Sequence, residues 1–120
     1  MTPAGHEAGD AVLSEAASFL VRSVRAEDFV CRYGGEEFAL LLPETNLQGA
    51  LPYAERMRQE IEQHRFEPAE DEILELTVSG GIAAYPEIAA ESVDELLRKA
   101  DEALYRAKGN GRNRIESAEK

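Results

Sequence analysis

Cysteine is almost missing from this chain: among 120 residues there is one, Cys31. A lone cysteine forms no internal disulfide, and its place in an apolar, strand-like run reads as a buried structural thiol rather than a nucleophile. Basic residues are also scarce, with 13 Lys and Arg against 24 Asp and Glu, for a formal charge of −11. A field of that sign opposes binding to nucleic acid or to an anionic membrane. A polyanionic ligand therefore needs local help from metal ions or from a small basic cluster, the clearest being Arg106, Lys108, Arg112 and Arg114 near the C-terminus. No apolar run approaches the roughly 20 residues that cross a bilayer, and no signal peptide is read at the N-terminus. The expected setting is cytoplasmic, with neither nucleic-acid nor membrane contact. Hydrophobic content of 43% and charged content of 31% are those of a soluble globular protein, and the length fits one domain, 1–120.

Periodicity supplies the elements. Val12, Leu13, Ala16, Ala17, Leu20 and Val24 recur at helical spacing, predicting an amphipathic helix from about Asp10 to Arg25. A second helix takes its apolar face from Leu47, Ala50, Leu51, Ala54, Met57 and Ile61, with Thr45 or Asn46 as cap. Pro52 is awkward there, since an interior proline costs about 3 kcal/mol. Either the first turn is kinked or regular helix begins only near Pro52. The acidic stretch from Glu67 to Glu75 reads as a solvated loop, and Leu74, Leu76, Val78 and Ile82 as one long strand with a bulge at Gly80-Gly81. Ser92-Val93-Asp94-Glu95 has the capping-box pattern and opens a third helix ending near Gly109. A short strand at 113–116 closes the order helix, strand, strand, helix, strand, helix, strand. That pattern is α+β, with helices packed on an antiparallel or mixed sheet.

The stretch Arg32-Tyr33-Gly34-Gly35-Glu36-Glu37-Phe38 sets two glycines and two carboxylates between strand-forming runs. Gly34-Gly35 reads as a tight hairpin turn. Glu36 and Glu37 then alternate across the strand, so they do not serve as ligands in the same manner. Paired carboxylates suit a hard cation such as Mg²⁺, which in turn suits phosphates. A plain solvated hairpin fits the same spacing.

This stretch resembles the signature loop of the GGDEF family, the diguanylate cyclase domains that condense two GTP into cyclic di-GMP with release of pyrophosphate. Further segments are similar in the family's order: Gly5-His6-Glu7-Ala8-Gly9-Asp10, Arg25-Ala26-Glu27-Asp28, Thr77-Val78-Ser79-Gly80-Gly81-Ile82-Ala83, Ala100-Asp101-Glu102-Ala103-Leu104-Tyr105-Arg106-Ala107-Lys108 and Gly111-Arg112-Asn113. The resemblance covers nearly the whole chain and implies the palm-like, mostly antiparallel sheet of nucleotidyl cyclases flanked by helices. It also exposes a departure. The family's first strand, with a metal-binding Asp, and its phosphate loop would precede Met1. Two readings follow: a natural form that extends upstream, with room there for a sensory or receiver domain, which is favoured, or a truncated family member. The chain as given is expected to be inactive alone.

Carried over residue by residue, the resemblance implies that Glu36 binds metal, Mg²⁺ or Mn²⁺, and that Glu37 positions metal or the attacking 3′-hydroxyl. Gly34 and Gly35 let nucleotide approach, Asp10 reads guanine, and Lys108 and Arg112 contact terminal phosphates. Arg25 and Asp28 form the R-x-x-D product-binding motif, with Arg32 adjoining and Arg56 contributing from a neighbouring domain. Each has a simpler alternative: Asp10 as a helix cap, Lys108 and Arg112 answering the helix dipole, Arg25–Asp28 as a surface ion pair. His6 and His64 have no spacing that suggests a metal site. The implied partners are GTP, cyclic di-GMP and a second copy of the domain, since catalysis brings two GTP-loaded domains face to face. A catalytically silent cyclic di-GMP receptor and a protein-interaction module are the competing functions.

Overall fold

The structure is a computed structural model that describes residues 2–3, 9–34, 37–69 and 72–119. In chain order the elements are β1 (Thr2–Pro3), α1 (Gly9–Ser23), β2 (Phe29–Gly34), β3 (Glu37–Leu41), α2 (Leu47–Gln63), β4 (Arg65–Ala69), β5 (Glu72–Glu75), β6 (Val78–Ile82), α3 (Val93–Gly109) and β7 (Ile115–Ser117). The strands form a three-stranded sheet of order β1-β6-β7 and two hairpins, β2-β3 and β4-β5. All pairings are antiparallel except β6 with β7.

One cluster of buried side chains holds these pieces together: Ala16 and Leu20 of α1, Phe38 of β3, Met57 and Ile61 of α2, Phe66 of β4, Leu76 and Val78. The apolar periodicity of α1 and α2 thus meets the inward residues of three strands, and burial of this surface drives the fold. α3 covers the opposite face of β6. Side chains alternate along a strand, so Val78 faces the cluster while Gly81 faces α3. A Cβ at Gly81 would lie 2.1 Å from the Ala100 carbonyl oxygen and 2.4 Å from the Leu104 nitrogen. The glycine is there because α3 lies with its backbone against the strand, an approach that the buried Ala103 and Ala107 also permit.

Several expectations need correction. The acidic stretch 67–75 is largely strand: β4 and β5 pair with Phe66 opposite Leu74, and Glu70 and Asp71 lie outside the described residues. Phe66 is fully buried, with its ring 5.9 Å from Phe19 and 4.5 Å from His64, so one aromatic anchor outweighs the charge around it. The long strand is two strands, β5 and β6, and β6 pairs with β7 without a register shift at Gly80 and Gly81. Gly81, read as part of a bulge, serves helix packing instead. The closing strand lies one to two residues later than expected, at Ile115–Ser117.

Helix ends follow the capping rules closely. Asn46, not Thr45, caps α2, its Oδ1 accepting from the Gly49 N–H at 2.9 Å, and the Leu47 N–H donates to Glu87 Oε2 at 2.7 Å. Regular helix therefore starts at Leu47 and runs through Pro52. The carbonyl that loses its partner to that proline belongs to Gln48, an exposed residue within reach of water. Ser92 Oγ accepts from the Glu95 N–H at 3.1 Å, while Glu95 reaches back to the Glu91 N–H rather than that of Ser92. α3 ends on a left-handed turn, with φ 121° at Gly111, 63° at Arg112 and 49° at Asn113. The Arg112 N–H closes that turn on the Ala107 carbonyl at 2.9 Å.

Candidate functional site: the hairpin and the Arg25 cluster

The β2-β3 hairpin pairs Phe29 with Leu41, Val30 with Leu40, Cys31 with Ala39 and Arg32 with Phe38. The register then shifts and Gly34 pairs with Glu37. Gly34, expected in the turn, ends β2, and Gly35 and Glu36 follow it in the chain. Both lie outside the described residues, as does His6.

Glu37 opens β3, and across from it comes the last turn of α3. Lys108 Nζ lies 3.7 Å from Glu37 Oε1, with both side chains about one-third exposed. The structure thus joins two positions, 71 residues apart in the chain, that were singled out separately. The rest of the basic cluster does not gather here. Arg106 Nη2 donates to the Ser117 carbonyl at 2.6 Å, and Arg114 Nε folds back onto the Arg112 carbonyl at 3.2 Å. Arg112 itself is exposed on the turn after α3. Asp10 lies in the first turn of α1, which begins at Gly9, so it is not the residue that caps that helix. An open cleft of about 830 Å³ between β3, α2, β6 and α3 has Glu37 and Arg25 among its lining residues.

Among the described residues no three of His, Cys, Asp and Glu converge, and Glu37 is already paired with a cation. Those residues alone do not make a divalent-cation site. The candidate ligand Glu36 lies beyond them.

The second group forms around Arg25, in the turn between α1 and β2. Its Nε donates to Asp28 Oδ2 at 2.9 Å and its Nη2 to Asp28 Oδ1 at 3.0 Å, a bidentate pair. Nη2 also donates to Thr45 Oγ1 at 2.8 Å, and Thr45 donates to the Pro43 carbonyl at 3.0 Å. From α2, Tyr53 OH donates to Asp28 Oδ2 at 2.9 Å and accepts from the Arg25 backbone N–H at 3.2 Å. The Tyr53 ring takes two cations, with Arg25 Cζ 5.0 Å and Arg56 Cζ 5.3 Å from its centroid.

Electrostatics follow from these contacts. The Arg25 guanidinium and, after it, the Tyr53 hydroxyl hold the Asp28 carboxyl below the usual carboxylate range against the opposing effect of burial. Asp28 in turn raises Arg25. Burial, then the bond to Asp28, raises the Tyr53 hydroxyl. The Asp28 side chain is 0% exposed and that of Arg25 40%. In this arrangement Arg25 is therefore the member of the R-x-x-D pair open to a ligand, and Asp28 is not. Within the chain, Arg56 stands over the same ring that supports Arg25. Arg32 occupies β2 opposite Phe38.

Tyr53 and Thr45 are additions that the sequence reading did not single out for this site. One signal was available: Tyr53 and Arg56 are three apart on a helix and so share a face. Their meeting with Arg25, 28 residues away from Tyr53, was not legible.

A palm-like nucleotidyl cyclase domain is the class that this fold defines, and comparison with known proteins specifies it. Residues 3–114 match the family model described as "Diguanylate cyclase, GGDEF domain". The chain is 44% identical over 112 residues to the response regulator PleD of Caulobacter vibrioides, covering 92% of this chain and 24% of that protein. It is 44% identical over 114 residues to diguanylate cyclase DgcM of Escherichia coli K12, covering 95% and 26%. Among solved structures, the GGDEF domain of PA1120 (YfiN or TpbB) from Pseudomonas aeruginosa has a TM-score of 0.86 at 35% identity, covering 98% of this chain and 72% of that one. The GGDEF domain of DgcB from Caulobacter crescentus, solved with c-di-GMP, has a TM-score of 0.80 at 34% identity, covering 98% and 68%. The chain belongs to the GGDEF family. It spans about a quarter of the length of these curated relatives. Among the described residues, no helix is long and apolar enough to cross a membrane.

Proposed function

We propose that this is a diguanylate cyclase domain, condensing two GTP into cyclic di-GMP and carrying a product-binding site at Arg25. The observation that supports the reading most is the meeting of Glu37 with Lys108 beside the acidic hairpin, in a chain of this family. The Lys108 ammonium has three donors, and at 3.7 Å its contact with Glu37 is an ion pair too long for a tight hydrogen bond. It is therefore free to turn to a terminal phosphate, with Arg112 on the next turn as the second cation. Asp10 accepts from the guanine N1–H and amino group, while Gly34 and Gly35 leave room for nucleotide against the hairpin. Glu37 orients the 3′-hydroxyl that attacks the α-phosphorus as pyrophosphate leaves. A second copy presents the other GTP, so the active state is a homodimer. A divalent cation, Mg²⁺ or Mn²⁺, with Glu36 as its ligand in this chain, belongs to the reading; when bound it supplies neutralisation of triphosphate charge.

Arg25, Arg32, Arg56 and Asp28 make the proposed product site. Guanidinium groups stack on guanine and pair with phosphate, and Arg25 is fixed yet 40% exposed. That observation also favours a second reading, a catalytically silent cyclic di-GMP receptor, for the 120 residues by themselves.

Product formation from GTP and Mg²⁺ separates the two. In an active form the cyclase reading predicts turnover to cyclic di-GMP, whereas the receptor reading predicts binding of cyclic di-GMP without turnover. In that active form Glu36→Gln should abolish turnover with folding unchanged, since an amide has no charge to hold the cation. Near-normal turnover by Glu36→Gln would show that the wrong carboxylate has been assigned.

A further inference from the structure

Arg25 has five N–H donors on its guanidinium, and three are committed: Nε and one Nη2 hydrogen to Asp28, the other Nη2 hydrogen to Thr45. The two on Nη1 have no hydrogen-bond partner among the described residues. An arginine 40% exposed would ordinarily sample many rotamers, and ordering it at the moment of binding costs affinity. Here it is already ordered, and one residue touches both Arg25 and Asp28. Tyr53 donates to Asp28 Oδ2, accepts from the Arg25 backbone N–H and lies against the Arg25 guanidinium. The same ring also receives Arg56, whose Nε is only loosely paired with Glu60, at 3.6 Å.

We propose that Tyr53 is the positioning residue of the Arg25 site, joining Arg25 and Arg56 of one chain into a single preformed cationic platform for a guanine phosphodiester. Asp28, with its side chain buried, works with Tyr53 by anchoring Arg25. The inference rests on the product-binding reading above and specifies how that site is built. Its chemistry is balanced: the Tyr53 hydroxyl saturates Asp28 Oδ2, which already takes the Arg25 N–H at 3.1 Å and Nε at 2.9 Å. The guanidinium is left with its Nη1 edge for a phosphate oxygen. The ring supplies a surface that spreads the repulsion between two cations by attracting both.

The test uses the full 120-residue chain and cyclic di-GMP, with wild type, Tyr53→Phe, Tyr53→Leu and Arg25→Ala compared by titration calorimetry after circular dichroism shows each folded. Tyr53→Phe keeps the ring and loses the hydroxyl, and should bind about three- to tenfold more weakly. Tyr53→Leu loses both and should bind more weakly still. The ¹⁵N–¹H resonance of Arg25 Nε in ligand-free protein reads positioning directly. It should be sharp and shifted in wild type, intermediate in Tyr53→Phe and averaged toward free arginine in Tyr53→Leu. Should Tyr53→Leu fail to fold, Tyr53→Phe carries both measurements. Wild-type affinity and an unchanged Arg25 resonance in the Tyr53 variants would overturn the inference, while loss of binding in Arg25→Ala alone would leave the product-binding reading intact. If folded wild type binds no cyclic di-GMP, that reading falls, and the Arg25 resonance decides the role of Tyr53 unaided.

Discussion

Asp28 accepts from four donors, two on the Arg25 guanidinium, one on the Arg25 backbone and one on Tyr53, with its side chain out of water. Its carboxyl titrates below its ordinary value of about 3.9. A carboxylate depressed in the folded state contributes stability that is fully present above the unfolded value and is lost as pH falls through the folded one. Unfolding measured against pH should therefore show stability falling below about pH 4, with a shallower slope in Asp28→Asn. An identical slope in the two proteins would mean that Asp28 is not held as described. Arg25 and Asp28 were legible in the sequence because their motif is local, three residues apart. Tyr53 was not, because its role depends on α2 being laid across the turn that carries Arg25. Gly81 shows the same limit. Its neighbour-glycine context pointed to a bulge, and only the course of α3 reveals the close approach. Since the atoms in the way are backbone and not flexible side chain, Gly81→Ala should destabilise the chain by about 3 kcal/mol or more, read as a lower denaturant midpoint. A change under about 0.5 kcal/mol would mean that α3 lies elsewhere.

The three helices were visible to within a few residues at each end, because apolar spacing marks all three, capping side chains mark the starts of α2 and α3, and a glycine marks the end of α3. Strands were harder. β4 and β5 were hidden by their acidic outer faces, since charge marks exposure of a surface and not the absence of a strand beneath it. Ser92→Ala removes the α3 cap and should cost about 1 kcal/mol. The turn after α3 depends on long-range bonds: Arg58 Nη1 donates to Asn113 Oδ1 at 2.8 Å, Asn113 Nδ2 bonds to Glu62, and the Asn113 N–H donates to the buried Ser79 Oγ at 3.1 Å. Arg58 is itself fixed by Glu55, which it holds below the carboxylate range. Asn113 also has φ 49°, a left-handed conformation that costs alanine more than asparagine or glycine. Asn113→Ala should then lose more stability than Asn113→Gly, by about 1 kcal/mol. Equal losses would assign the whole effect to the side-chain bonds.

A net charge of −11 sets the problem for the whole molecule, which on the proposed reading recognises anionic ligands. The fold answers by concentrating cations where three elements meet, Lys108 against the hairpin and Arg25 with Arg56 on one tyrosine ring. Such local sites operate against a repulsive background, so added salt screens attraction and repulsion together, within about 10 Å at 0.1 M. Family membership was readable from segments spread along most of the chain, whereas the spatial grouping of the cations came only with the packing of α2 and α3. Titration of cyclic di-GMP into the folded 120-residue chain and into Arg25→Ala puts the guanine-nucleotide reading to its most direct trial. The expected result is saturable binding by wild type, tightening at protein concentrations that favour dimers, and loss of about tenfold or more in affinity with Arg25→Ala. Equal affinity in the two proteins, or none in the folded wild type, would contradict it.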